Sequence, residues 1–310
     1  QISIALFAIA CRDRGAPAIS LTGPQAGIYA DDRHTRSTIT AIKPDKIRAE
    51  LKAGKIVAVA GFQGLNAKAD ITTLGRGGSD LSAVALAAVL KAKGCEIFTD
   101  VKGVYTADPR IVADARKLPF ISYEEMLELA ASGAQVMQAR SVEVARRFGV
   151  RIHVRSAFHE VPGTWIVPAK EISMEEAVVS SLALDKGEVR LSIVEVPDRP
   201  GIAADILARL AERDIPADMI VQSAPTHAGV NDISFMTPRS FAAKAKAALE
   251  SLAGKLKAKR VDIHEQVAKV TVVGTGFRRH AKVAARVFGV LAKNGINIQM
   301  ISTSDLKISC

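Results

Sequence analysis

The sequence predicts an α/β protein: a mainly parallel sheet sandwiched by helices, followed by two copies of a smaller α/β module, the second incomplete. Three observations predict it. Short β-branched runs alternate with longer apolar helical stretches through the first half, as strands do when helical crossovers join them in parallel. A strand–helix–strand pattern begins near Val189 and returns near Val270, a period that suits a small module with its own core rather than a solenoid repeat. The 310 residues leave room for about two or three domains of ordinary size. The expected divisions are residues 1–172, 173–265 and 266–310.

Taken in order, residues 2–14 read as an apolar helix and 18–21 as a strand. A loop rich in Gly, Asp and Thr runs to residue 38. Residues 44–53 form a helix, and 56–60 a β-branched strand that ends at Gly61-Phe62-Gln63-Gly64. A glycine-rich loop then enters a long helix reaching Lys93, and residues 96–100 make the next strand. Helices at 123–132 and 136–148 and a strand at 150–155 close this half; a linker at 160–164 and the segment to about 177 lead out of it. In the first module a strand at 189–194 precedes a helix at 202–213 and a strand at 218–222. In the second, 270–273, 283–294 and 297–301 play the same parts. The chain begins at Gln1 and stops within 306–310, a strand-like run, so it reads as a fragment.

Composition narrows the function. Apolar residues make up 48% and charged residues 24% of the chain, the profile of a soluble globular protein. Aromatics are few and alanine is abundant, which points to an aliphatic, helix-rich core. The net charge of +10 is spread over helix-like segments, with Lys255, Lys257, Lys259 and Arg260 as its densest cluster. No aromatic residues interleave with these cations, so they read as a solvated helix face rather than a nucleic-acid surface. Cys11, Cys95 and Cys310 form no CxxC pair and have no neighbouring histidines, as expected for unlinked thiols of a reducing, cytoplasmic compartment. No apolar run is long enough to span a bilayer. Residues 2–10 resemble a signal core, but no basic region precedes them, so a buried helix is expected.

The most informative stretch is Thr72-Thr73-Leu74-Gly75-Arg76-Gly77-Gly78-Ser79-Asp80. Its glycines permit positive φ and close backbone approach to a ligand. Ser79 or Asp80 is expected to cap the helix that follows, whose first amides then attract an anion. Arg76 offers a planar fork for a carboxylate or phosphate. Asp80 beside an anion makes sense if it orients a donor, a metal or a substrate ammonium; Arg76 and Asp80 together suit an amino acid. A second constellation runs Thr99, Asp100, Val101, Lys102, Gly103, Val104, Tyr105, Thr106, Ala107, Asp108, Pro109, Arg110. Tyr105 can stack on or edge a purine and Arg110 can meet phosphate oxygens, although a strand and turn with a structural tyrosine explains the run equally well on its own.

Together these motifs resemble the amino acid kinase family, and with the terminal repeats they resemble its aspartokinases along the whole chain. The repeats are similar to ACT modules, small βαββαβ domains that bind amino-acid effectors. The resemblance implies transfer of the γ-phosphoryl group of ATP to the side-chain carboxylate of L-aspartate, with Mg2+ bridging phosphate oxygens and no metal-ligating residue assigned in the chain. It implies that Arg76, Gly77, Gly78, Ser79 and Asp80 hold aspartate, Arg76 and Asp80 acting in catalysis. It implies that Thr99, Asp100, Tyr105, Thr106, Ala107, Asp108, Pro109 and Arg110, with Gln135, surround ATP. For the first module it implies effector contacts from Asp198, Arg199, Pro200, Gly201, Asp218 and Gln222, and for the second from Asn297, Ile298, Thr303 and Ser304. Lysine or threonine is the expected effector, and an ACT-mediated homo-oligomer the expected assembly.

Three departures stand out. The family's opening strand with its Lys-Gly-Gly turn is absent, as is a glutamate that precedes the position of Gln1, so this chain by itself is expected to be a poor kinase. Gln135 stands where many members place a lysine that reaches the phosphates; weaker ATP binding follows unless Arg140 or Lys117 compensates. His280-Ala281-Lys282-Val283 replaces the Pro-Gly turn in the second module. The alternative reading is an amino-acid-binding regulatory protein with a non-catalytic kinase remnant. Tandem modules disfavour a glutamate 5-kinase.

Overall fold

In chain order the first half folds as α1 (Ile2–Asp13), β1 (Ala18–Leu21), β2 (Ile28–Ala30), β3 (Ile39–Ile42), α2 (Asp45–Lys52), β4 (Ile56–Val59), β5 (Gln63–Leu65), β6 (Ile71–Thr73), α3 (Gly78–Leu90), β7 (Cys95–Thr99), β8 (Phe120–Ser122), α4 (Tyr123–Ala131), α5 (Ala139–Phe148), β9 (Ile152–Ser156) and β10 (Thr164–Val167). The structure is a computed structural model and describes residues 1–172, 178–226, 229–275, 277 and 281–310. The expected division at residue 173, and His280, lie outside the described residues.

The helical crossovers give parallel pairs where the alternation predicts them: β1 with β4, β7 with β9 and β8 with β10. Antiparallel pairs interrupt the pattern, at β9 with β10, β2 with β3 and β5 with β6. Four strands, β2, β5, β6 and β10, lie in segments that the sequence presents as loop or linker. The first three are three residues long, too short for periodicity to register; β2 pairs with the following β3 and β5 with the following β6, and only β2 with β5 joins segments well apart in the chain. Leu21, Ala26, Ile28 and Ile47 form one buried cluster there, with Val57, Val59, Leu86 and Leu90 packed on it. It is packed by strand β4 and by helix α3, which leaves the glycine-rich turn.

The second half continues with β11 (Val179–Asp185), β12 (Glu188–Pro197), α6 (Ile202–Ala211), β13 (Asp218–Gln222), β14 (Val230–Pro238), α7 (Ala242–Leu256), β15 (Arg260–His264), β16 (Lys269–Gly274), α8 (Ala281–Lys293), β17 (Ser302–Thr303) and β18 (Lys307–Ser309). The chain divides into two compact units, Gln1–Ser181 and Leu182–Cys310, each with its own sheets. In the second unit, β12 to β15 make a βαββαβ module in strand order β13-β14-β12-β15. Alternate residues Val189, Leu191 and Ile193 of β12 point to its core, where Ile202, Ile206 and Leu210 of α6 meet Ala245, Leu249 and Leu252 of α7.

The other sheet has the order β11-β16-β18-β17. Strand β11 thus precedes the first module in the chain yet lies in the sheet of the second, an arrangement that the division into 173–265 and 266–310 does not anticipate. A strand expected at 297–301 is also absent; only Ser302 and Thr303 pair with β18. Met300 instead packs with Met219 and Met236, so side-chain burial, not a backbone ladder, holds that segment.

Candidate functional site

Beyond β6 the backbone turns through Gly75 and Gly77, both left-handed at φ 82° and 69°. A Cβ on Gly75 would stand 2.6 Å from the Thr35 carbonyl, and one on Gly77 would run into the Gln138 side chain. The expected cap at Ser79 or Asp80 is not formed: Gly77 is the N-cap, and both residues lie within the first turn of α3. Only a residue without Cβ takes that cap conformation freely. Gly78 N donates to the Gly75 carbonyl at 2.9 Å, while the amides of Ser79 and Asp80 have no intrahelical acceptor, and the helix dipole favours an anion beside them.

Gly61 and Phe62, just past β4, brace the same helix start. Phe62 N donates to Ser82 Oγ at 3.2 Å, and Ser82 Oγ donates to the Gly78 and Ser79 carbonyls at 2.9 Å. Arg76 and Ser79 are exposed, while Asp80 is half-buried. Burial pushes the Asp80 carboxyl above the usual carboxylate range, and a hydrogen bond with Ser79 offsets part of that. The turn and the first turn of α3 therefore carry an exposed guanidinium and a half-buried carboxylate four residues apart in the chain.

Residues far away in sequence complete this turn. Arg140, at the start of α5, donates to the Leu74 carbonyl at 3.0 Å and the Ser37 carbonyl at 2.7 Å. Ser37, fully buried, donates through N and Oγ to the Thr73 carbonyl at 3.1 and 2.9 Å. Thr35, Ser37 and Gln138 escape sequence reasoning because they bind backbone carbonyls or fill space, which needs no motif.

The second constellation follows β7. Thr99 Oγ1 donates to Asp100 Oδ1 at 2.9 Å. Gly103, at φ 138°, leaves room for Thr164, whose hydroxyl binds Val104 N at 2.9 Å and the Leu118 carbonyl at 2.6 Å. Tyr105 bridges to Lys117 in antiparallel fashion, and its carbonyl accepts from Ser181 Oγ at 2.7 Å. Thr106 pairs with Arg116 through both backbone and hydroxyl. Ala107 is half-buried and Pro109 exposed. Arg110 is paired with Asp108 at 2.8 Å, which holds that carboxyl below its ordinary range. Gln135 is exposed, and neither expected substitute for it is free: Arg140 is held by two carbonyls, and Lys117 Nζ donates to the Pro162 carbonyl.

In the second unit, Gly201 caps α6 in a left-handed conformation at φ 97°. Asp198, Arg199 and Pro200 before it are exposed, and Asp198 Oδ1 accepts from Asn231 Nδ2 at 2.9 Å. Asn231 is buried, and its Oδ1 has no partner; no motif marked it. Asp218 differs from expectation. Its Oδ2 is 3.0 Å from Lys269 Nζ and its Oδ1 accepts from Met219 N at 2.8 Å, with the side chain 52% exposed, so an effector ammonium there would share a carboxylate that already holds a buried lysine. Gln222 is exposed at the end of β13. Asn297 and Ile298 line a cavity of about 370 Å3 together with Arg190, Lys269 and Met300, apart from the Asp198 loop. Thr303 pairs with Ile308, and Ser304 Oγ accepts from Leu306 N and Lys307 N at 3.2 Å.

Comparison with known proteins places the fold. The model of the amino acid kinase family matches residues 1–156, and that of the ACT domain matches residues 270–310. An aspartate kinase of Pseudomonas fluorescens is 48% identical over 309 residues, covering 100% of this chain and 75% of that protein. The crystal structure of Escherichia coli aspartokinase III with aspartate and ADP superposes with a TM-score of 0.80 at 28% identity, covering 99% of this chain and 69% of the other. The same enzyme with lysine and aspartate gives 0.75 at 27% identity, covering 99% and 68%. Among the described residues no helix is long and apolar enough to cross a membrane. On these matches the chain belongs to the amino acid kinase family, and within it to the aspartokinases.

Proposed function

We propose that this chain transfers the γ-phosphoryl group of Mg2+-bound ATP to the side-chain carboxylate of L-aspartate, giving 4-phospho-L-aspartate. The observation that carries the reading is the exposed Arg76 on a left-handed turn that opens directly into the first turn of α3, with half-buried Asp80 beside it. Arg76 grips the α-carboxylate, the α3 amides take a further oxygen, and Asp80 meets the ammonium. The attacking carboxylate is already ionised at neutral pH, so positioning and charge neutralisation do the catalysis. The segment Thr99–Arg110 holds the nucleotide, with Tyr105 against the base. Mg2+ would enter bound to the ATP phosphates and keep much of its hydration shell. The E. coli relative's complexes with aspartate, ADP and lysine support the same ligand classes here.

Regulation by lysine or threonine through paired ACT modules belongs to the same proposal. Asp198 and the left-handed start of α6 receive the effector's ammonium and carboxylate, and the homodimer brings two such loops together. A coupling of about 1–3 kcal/mol between effector and active site is sufficient. The test compares phosphoryl transfer to aspartate and glutamate in the protein at its natural full length, with and without lysine and threonine. Transfer to aspartate alone is expected. Asp198→Asn, which keeps an acceptor for Asn231, is expected to weaken inhibition while uninhibited turnover stays the same. Transfer to neither amino acid would leave the regulatory reading in place of the enzyme.

A further inference from the structure

We propose that Arg140 is the positioning residue of the aspartate-binding turn, holding Arg76 and the first amides of α3 in place without touching substrate. The inference rests on the function proposed above. Arg140 lies in the first turn of α5, where a cation is disfavoured by the helix dipole. It takes that placement and spends its guanidinium on two backbone carbonyls, Leu74 at 3.0 Å and Ser37 at 2.7 Å. Leu74 immediately precedes Gly75. Ser37 in turn grips the Thr73 carbonyl through N and Oγ. One side chain therefore ties together the end of β6, the loop before β3 and the start of α5.

The surrounding packing gives this tie a purpose. The loop at 31–38 is shaped by Asp31, whose Oδ1 accepts from Thr38 N at 3.0 Å and Oδ2 from Arg33 Nη2 at 2.7 Å. The hydrogen bond from Arg33 holds that carboxyl down at about 2. A loop so braced presents the Thr35 carbonyl to Gly75, while Gln138 fills the space beside Gly77. The turn carrying Arg76 is thus wedged between two segments, and Arg140 is the cation that binds them to each other. The glycines that give the turn its shape leave it intrinsically loose, so its position depends on neighbours. Lysine is no equivalent, because an ammonium lacks the planar fork that spans two carbonyls in fixed directions.

The experiment measures kcat, KM for aspartate, KM for ATP and melting temperature for the full-length protein and for Arg140→Gln, Arg140→Lys and Ser37→Ala. Arg140→Gln is expected to lower kcat/KM for aspartate by about tenfold or more with KM for ATP within about twofold of wild type. Arg140→Lys should recover part of the loss, since one carbonyl regains a charged donor. Ser37→Ala, which removes one bond of the same tie while keeping Arg140, should shift KM for aspartate in the same direction by less; it carries the test if Arg140→Gln does not fold. Aspartate and ATP constants that move together, or an unchanged KM for aspartate, would overturn the proposal. A wild-type protein that transfers nothing to aspartate removes the functional reading itself, and the role of Arg140 with it.

Discussion

Arg76 carries its charge on a turn that Gly75 and Gly77 shape, and it is exposed. On the function proposed above, its charge serves the substrate carboxylate rather than the fold. Arg76→Ala is expected to raise KM for aspartate strongly, with kcat/KM falling about tenfold or more for the loss of one charged hydrogen-bonding group. Steady-state kinetics at saturating ATP measure this, and unchanged aspartate kinetics would remove Arg76 from the site. Gln135 tests the nucleotide side. With Lys117 and Arg140 both held by carbonyls, no expected substitute supplies the missing charge. Gln135→Lys should tighten ATP binding and leave aspartate affinity unchanged; equal or weaker ATP affinity would place Gln135 outside the phosphate shell.

Elements that end in a local signal are legible, and those that depend on a distant partner are not. Helix α4 shows the first kind. Ser122 Oγ accepts from Glu125 N at 3.2 Å while Glu125 Oε2 accepts from Ser122 N at 3.2 Å, a complete capping box. The Ser122–Glu125 spacing is written in the sequence, and the expected helix start at residue 123 agrees with the structure. Ser122→Ala is expected to cost about 1–2 kcal/mol of stability, read from denaturant unfolding, with kinetic constants for both substrates unaltered. Strands β2, β5 and β6 are missed chiefly because three residues leave no period to detect, and the β2–β5 pair adds a partner far along the chain. Helix α3 lies between the two: its apolar run predicts the helix, but its cap required the left-handed φ of Gly77.

At the scale of the whole molecule, Lys269 joins strands that are remote in sequence. Its side chain is 3% exposed and lies 3.3 Å from Glu188 of β12 and 3.0 Å from Asp218 of β13. Burial opposes the charged lysine, yet the bond to Asp218 and the field of Glu188 and Asp218 outweigh it and raise its pKa above the ordinary value. Burial raises Glu188, whereas exposed Asp218 falls below its ordinary value because Lys269 outweighs desolvation. The lysine's contribution is fully present below its unfolded value of 10.5 and is lost as pH rises through the higher folded value. The contribution of Asp218 is present above 3.8 and is lost as pH falls through its lowered value. Lys269→Met is expected to destabilise the second unit by about 3 kcal/mol at neutral pH, since it strands a buried carboxylate. Thermal unfolding across pH should show the variant losing both limbs of this dependence; a variant as stable as wild type at pH 7 would make the bridge dispensable.

The sequence by itself determined the parts of this protein that depend on near neighbours. Alternation announced the crossover-linked strands, the recurring strand–helix–strand pattern announced the two modules, and Gly75–Asp80 announced a glycine-shaped turn into a helix. These signals are local because propensity, periodicity and capping act over a few residues. Tertiary structure alone decided that Gly77 rather than Ser79 caps α3, and that Asp218 is already bound by Lys269. It also brought β11 into the sheet of the second module and set Arg140 on the carbonyls of Leu74 and Ser37. Backbone carbonyls occur at every residue and carry no sequence label, so which of them a given side chain reaches is settled only when the chain has folded.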